Sequence, residues 1–144
     1  MAEIWELEAN EISHLFKSKK ISAREIVNSL EERFHKTNSK INAIPEDTFE
    51  YAKKVSNNLD KKVLQNHKLG ILAGVPLTVK INTDQIGFAS TNGLKIQNNL
   101  IAEKDSTVVQ NIQNADGIII GRTNTPAFSI RWFTNNSIHG HTLN

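Results

Sequence analysis

The feature that most constrains this chain is a change of hydrophobic period near residue 71. Before it, apolar residues recur at helical spacing. From 71 to 80, Val75, Leu77 and Val79 alternate with Pro76, Thr78 and Lys80. Alternation sends successive side chains to opposite faces, so this segment reads as a strand. Pro76 lacks one ladder donor and belongs at the strand start or on an edge. Farther on, Ile118-Ile119-Ile120 is wholly apolar, as expected of a buried parallel strand. Between the two, Asp105 or Ser106 can cap a helix carrying Val108, Val109 and Ile112, with Gly117 at its C-terminal end. Thr125-Pro126 then reads as an N-cap with proline at the first helical position. Strand, loop, helix, strand, helix is an α/β order.

The first 64 residues are helical in pattern. Ile4, Leu7, Ile12, Leu15 and Phe16 form one stripe. Ser22-Ala23-Arg24-Glu25 is a capping box for a second helix, whose buried stripe is Ile26, Val27, Leu30 and Phe34. Asn42 to Pro45 breaks that pattern. Asp47 and Glu50 can cap a third helix with Ala52, Val55, Leu59 and Val63 inside. Residues 81–104 are polar and irregular, with Gly87 and Gly93 as turn points. The expected organisation is one domain-sized piece, 1–144, with a helical layer over 1–64 and a strand/helix segment over 71–144.

Composition narrows the function classes. Hydrophobic residues make up 38% and charged residues 22%, enough apolar matter for a core. With 17 basic and 15 acidic residues the net charge is only +2, which argues against a nucleic-acid or membrane surface. The one tight basic cluster, Lys17-Ser18-Lys19-Lys20, reads as a solvated helix end. There is no cysteine, hence no disulfide, thiolate nucleophile or thiolate metal site. Met1-Ala2-Glu3-Ile4-Trp5-Glu6 is acidic and interrupted, unlike a signal peptide, and no apolar run would span a bilayer. A cytoplasmic location is expected. His139 and His141 could share a strand face, but no third ligand accompanies them, so no metal is expected. No phosphate loop is present.

Three blocks carry a resemblance: Ala73-Gly74-Val75-Pro76 through Lys80; Asp105 to Ile120 followed by Gly121-Arg122-Thr123-Asn124-Thr125-Pro126; and Asn135-Asn136 to Asn144. In this order and spacing they resemble the N-terminal portion of the amidase signature family. The resemblance implies a mixed sheet wrapped by helices, of which this chain holds an incomplete part. It implies amide C–N hydrolysis through an acyl-enzyme by a Ser–cis-Ser–Lys triad, without a cofactor or metal. Lys80 takes the lysine role, while Ser129, Arg131 and Trp132, with Ile130, fall where the family lines its acyl-binding pocket. A free lysine titrates near about 10.4, so a lysine base must be brought near neutrality at a cost of about 4 kcal/mol. Burial away from carboxylates would do this.

Two departures stand out. Family members commonly carry Asp after the lysine, whereas this chain has Ile81-Asn82. The family's Gly-Gly-Ser-Ser-Gly-Gly-like block is expected beyond Asn144, and none of the chain's serines lies in a glycine-rich elbow. The chain alone is therefore expected to be inactive, with a small-molecule amide as substrate once completed. The alternative is a truncated, non-catalytic remnant or interaction module with a partial amidase fold. An independent α/β binding domain is a third reading. Unpaired sheet edges predict self-association of the isolated chain. The bland reading of Lys80 is a solvated strand cap, and of Ser129, Arg131 and Trp132 an ordinary packing segment.

Overall fold

The structure is a computed structural model that describes residues 3–143. Among the described residues four α-helices, α1 (Ala9–Lys17), α2 (Ala23–Ile41), α3 (Phe49–Leu64) and α4 (Thr107–Asn114), accompany five short strands. These are β1 (Glu46–Asp47), β2 (Pro76–Lys80), β3 (Ile118–Thr123), β4 (Asn135–Asn136) and β5 (Gly140–His141). A three-stranded sheet has the order β1-β3-β2, and β4 and β5 form a separate antiparallel pair. β1 runs antiparallel to β3, with Glu46 opposite Arg122 and Asp47 opposite Gly121. Ile118 N–H bonds the Val75 carbonyl at 2.9 Å and Ile81 N–H bonds the Thr123 carbonyl at 3.0 Å. Earlier residues meet earlier and later meet later, so β2 and β3 are parallel. The expected α/β architecture with a mixed sheet is present.

The chain divides into two compact units. The first is the described part of Met1–Lys36, with Thr48–Leu77 and Asn111–Ile120. The second is Thr37–Asp47, Thr78–Gln110 and Gly121–Asn144 in its described part.

The first unit is built on apolar burial. Ile12 and Phe16 of α1, Ile26 and Val27 of α2, and Phe49, Ala52, Leu59 and Val63 of α3 close a core with Ala73, Ile118 and Ile120. The Ser22–Glu25 capping box forms as the sequence indicates: Ser22 N–H donates to Glu25 Oε2 at 2.8 Å, and Glu25 N–H to Ser22 Oγ at 3.1 Å. Asp60 of α3 adds a cap of its own, accepting from Ala23 N–H at 2.7 Å and Arg24 N–H at 3.2 Å.

Several local expectations need correction. The first stripe is not one helix, because Ile4–Glu6 is a separate 3-10 turn and α1 starts only at Ala9. The cap of α3 is Thr48, since Asp47 is taken up by the β1 ladder. Thr48 Oγ1 donates to the Ile119 carbonyl at 2.9 Å rather than capping the helix turn. Val108 is exposed, because α4 turns Val109 inward and successive helical side chains point about 100° apart.

The end of α4 differs too: Asp116, not Gly117, takes the left-handed conformation, with φ 63°. Asp116 N–H bonds the Gln113 carbonyl and Gly117 N–H the Ile112 carbonyl, a Schellman closure. The Asp116 carboxylate then takes Lys62 Nζ and Gly70 N–H, each at 2.7 Å. A Cβ at Gly117 would lie 2.8 Å from Leu77 Cδ1 and 3.1 Å from the Ile112 carbonyl oxygen, so these neighbours would have to shift to admit one.

The second unit buries polar side chains instead. Gln85, Thr91, Arg122, Asn124, Thr125 and Asn136 are all buried in it, beside Val79 and Ile81. Gly87 and Gly93 do mark turns, with φ of 83° and 73°. The helix expected after Thr125-Pro126 is absent, and Ala127–Ser129 makes only one 3-10 turn. Pro126 is extended, and Phe128 and Ser129 are both left-handed at φ 58°. The N–H of Phe128 goes to the Asn92 carbonyl at 3.0 Å, which draws it away from helical partners.

Candidate active site

Lys80 ends β2, and its side chain is exposed. Strand alternation explains this: Val79 and Ile81 turn inward while Thr78 and Lys80 face out. No hydrogen bond or ion pair to the Lys80 ammonium is found among the described residues. The burial that a lysine base needs is therefore not supplied by the described residues. The backbone around Lys80 is firmly held. Thr83 N–H closes a turn on the Lys80 carbonyl at 2.9 Å, and Ile81 N–H joins Thr123.

Ser129 follows Phe128 in the left-handed pair and sits inside a polar cluster. Its hydroxyl accepts from Asn82 Nδ2 at 3.1 Å and donates to Asn92 Oδ1 at 2.8 Å. Thr125 Oγ1 lies 2.7 Å away. Ser129 has one proton, spent on the proton-free Asn92 oxygen, so Thr125 must donate to Ser129. Asn82, within the stretch that departs from the Lys-Asp pattern, thus ties the lysine's turn to the 125–129 segment. Two adjacent non-glycine residues at positive φ within such a network are strained backbone of the kind that clusters at functional sites.

Arg131 and Trp132 are not drawn into this cluster. Trp132 is 99% exposed, Phe133 85% and Ile130 80%, and Arg131 is exposed beside them. Arg131 lines an open cleft of about 430 Å³ with Lys95, Asn135, Asn136 and Ser137. Of the residues expected to bind substrate, the structure joins Ser129 to the Lys80 turn and leaves Arg131 and Trp132 on open surface.

Close to the cluster in sequence and bonding, Asn136 is buried and fully used. Its Nδ2 donates to Asn124 Oδ1 and the Thr125 carbonyl, each at 2.7 Å. Its Oδ1 accepts from Ile138 N–H at 2.9 Å and His139 N–H at 2.8 Å. Arg122 is completely buried, ion-paired to Glu46 at 2.7 Å, with Phe88 under the guanidinium at 5.1 Å. Burial lowers the Arg122 pKa from its ordinary value, while Glu46 and Asp84 act the other way. His139 Nε2 lies 3.6 Å from Glu46 Oε1. Burial pushes the His139 imidazole below its ordinary value, Glu46 opposes this and Arg122 adds to it.

Thr125, Asn92, Asn136 and Arg122 carry this site's architecture, yet periodicity gives no sign of them. For Thr125, Asn136 and Arg122 the one signal is position within the Gly121–Pro126 and Asn135–Asn136 blocks, and Asn92 has none. Asn144 lies outside the described residues, and no group of three or more metal-ligating side chains is found among those described.

Comparison with known proteins settles the family. The amidase family model matches residues 25–144. The chain belongs to the amidase signature family. It is 39% identical over 141 residues to an indoleacetamide hydrolase of Bradyrhizobium diazoefficiens, covering 98% of this chain and 27% of that protein. It is equally 39% identical to a subunit of the glutamyl-tRNA(Gln) amidotransferase of Fusobacterium nucleatum, over 98% of this chain and 29% of that one. Among solved structures it superposes on a bacterial aryl acylamidase of the amidase signature family with a TM-score of 0.90 and 30% identity. That match covers 96% of this chain and 29% of the acylamidase. The chain thus spans less than a third of the length of these relatives. No helix among the described residues is long and apolar enough to cross a membrane.

Proposed function

We propose that this chain contributes the lysine arm of an amidase that cleaves small-molecule amides through an acyl-enzyme. The observation that carries this reading is Lys80 itself, an amine with no carboxylate partner among the described residues, at the end of a strand whose following turn is pinned. In the reaction, neutral Lys80 Nζ accepts a proton relayed from a nucleophilic serine as that serine adds to the amide carbon. The proton returns to the departing nitrogen, the C–N bond breaks, and water then hydrolyses the acyl ester. Both serines come from outside these residues. Whatever covers Lys80 supplies the burial that the role of base requires. Arg131 and Trp132 present a cation and an indole face to a substrate on the open side, and Ser129 holds the base's turn against that segment.

The row Ile130, Trp132 and Phe133, exposed as it is, favours a second reading in which the chain is a non-catalytic interaction module. Complementation separates the two. The chain is combined with the portion of the Bradyrhizobium indoleacetamide hydrolase that follows the matched region, and ammonia release from indole-3-acetamide is measured. The amidase reading predicts release by the mixture and none by either piece alone. A folded complex without hydrolysis of this amide or of an anilide would favour the interaction module.

A further inference from the structure

Arg122 is an unusual residue to place inside a strand whose preceding residues are three isoleucines and a glycine. It is completely buried, and burying a cation is costly unless it is paired and hydrogen-bonded. Its partners show where that cost is recovered. Nη1 donates to Glu46 Oε2 at 2.7 Å and to the Ala89 carbonyl at 3.1 Å. Nη2 donates to the Ile81 carbonyl at 3.1 Å and the Thr83 carbonyl at 3.0 Å. Ile81 directly follows Lys80, and Ile81 and Thr83 stand on either side of Asn82.

We propose that Arg122 is a positioning residue for Lys80: anchored by Glu46, its guanidinium grips the two carbonyls of the lysine's turn and fixes the direction in which Lys80 leaves β2. The inference rests on the reading of Lys80 as the base. Three constraints converge on this turn. The strand ladder holds Ile81 N–H, Arg122 holds the carbonyls of Ile81 and Thr83, and the Asn82 amide reaches Ser129. Only a planar fork can serve one carboxylate and three carbonyls from a single side chain; a lysine has one point of attachment and three donors. Glu46 completes the device, because it pairs the cation through Nη1 while Nη2 serves the turn. A rigid base matters in this chemistry, since a displacement of about 1 Å costs about a hundredfold in rate.

The test uses Arg122→Lys in two settings. In the chain alone, labelled with 15N and with 13C-lysine, hydrogen exchange and the Lys80 Cε signal are read together. The proposal expects the Ile81 and Thr83 amides to exchange about tenfold faster and the Lys80 signal to shift, with Val27 and Phe16 amides unchanged. In the complemented amidase, kcat should fall about tenfold to a hundredfold with KM nearly constant, while the exposed-arginine control Arg131→Lys leaves the Lys80 signal in place. If Arg122→Lys does not fold, Glu46→Gln carries the test with the same readouts and smaller shifts. An unchanged Lys80 signal and unchanged kcat in these variants would overturn the proposal. Should Lys80→Ala remain active, the base assignment fails instead, and the exchange data still decide whether Arg122 holds the turn.

Discussion

Each of the two units in this molecule coheres by its own physics. In the first, Phe16, Ile26, Val27 and Ile118 are fully buried and apolar, and the helices need only keep their stripes inward. In the second, the buried residues include Arg122, Asn124, Thr125 and Asn136, each bonded to particular groups. An apolar core tolerates exchange among side chains of similar volume. A polar core does not, because each lost partner leaves a buried group unsatisfied. Lys80, Asn82 and Ser129 lie in the unit whose geometry is fixed by directional bonds, as the proposed reaction site would require.

This contrast can be broken by mutation. Phe16→Ala should cost most, about 4 kcal/mol in urea unfolding, since a fully buried ring is replaced by a cavity. Phe16→Leu should recover much of that loss. Asn136→Ala should cost about 2 kcal/mol by leaving the Thr125 carbonyl without its donor and taking one of two donors from Asn124 Oδ1, and here the similarly sized Asn136→Leu should recover nothing. If leucine rescues both sites equally, the distinction between the two cores fails.

A smaller effect is pH-dependent. The lowered His139 pKa means that the folded chain binds this proton less readily than the unfolded chain does. Its contribution to stability is complete above the ordinary histidine value of 6.5 and is lost as pH falls from there through the lowered folded value. His139→Gln should flatten this part of the acid-side slope of stability against pH. Curves that remain parallel for the two proteins would show that His139 is not responsible.

The same contrast explains what can be read from the sequence. The α2 capping box, the α2 and α3 stripes and the β2 alternation are legible because burial and hydrogen-bond caps have short-range periods. Asp116 as the left-handed closure of α4 is not, because its carboxylate is fixed by Lys62 and Gly70, both far away in sequence. The helix expected at Thr125-Pro126 does not form for a similar reason: Asn92 and Asn82 capture Phe128 and Ser129 through contacts 36 to 47 residues distant, counted from the numbering. Lys80 stands out only through the order of three motif blocks. Its exposure follows from a strand alternation that is itself visible, while the burial expected of a base is not supplied by the residues described.

The most direct test of the account is Lys80→Met, read for stability and for chemistry on the same preparation. The side chain is exposed, so unfolding free energy should change by no more than about 0.5 kcal/mol. Amide hydrolysis by the complemented amidase should fall by about a thousandfold or more, as expected when a nucleophile loses its base. A stable Lys80→Met chain that supports hydrolysis within about tenfold of the unsubstituted rate would contradict Lys80 as the base.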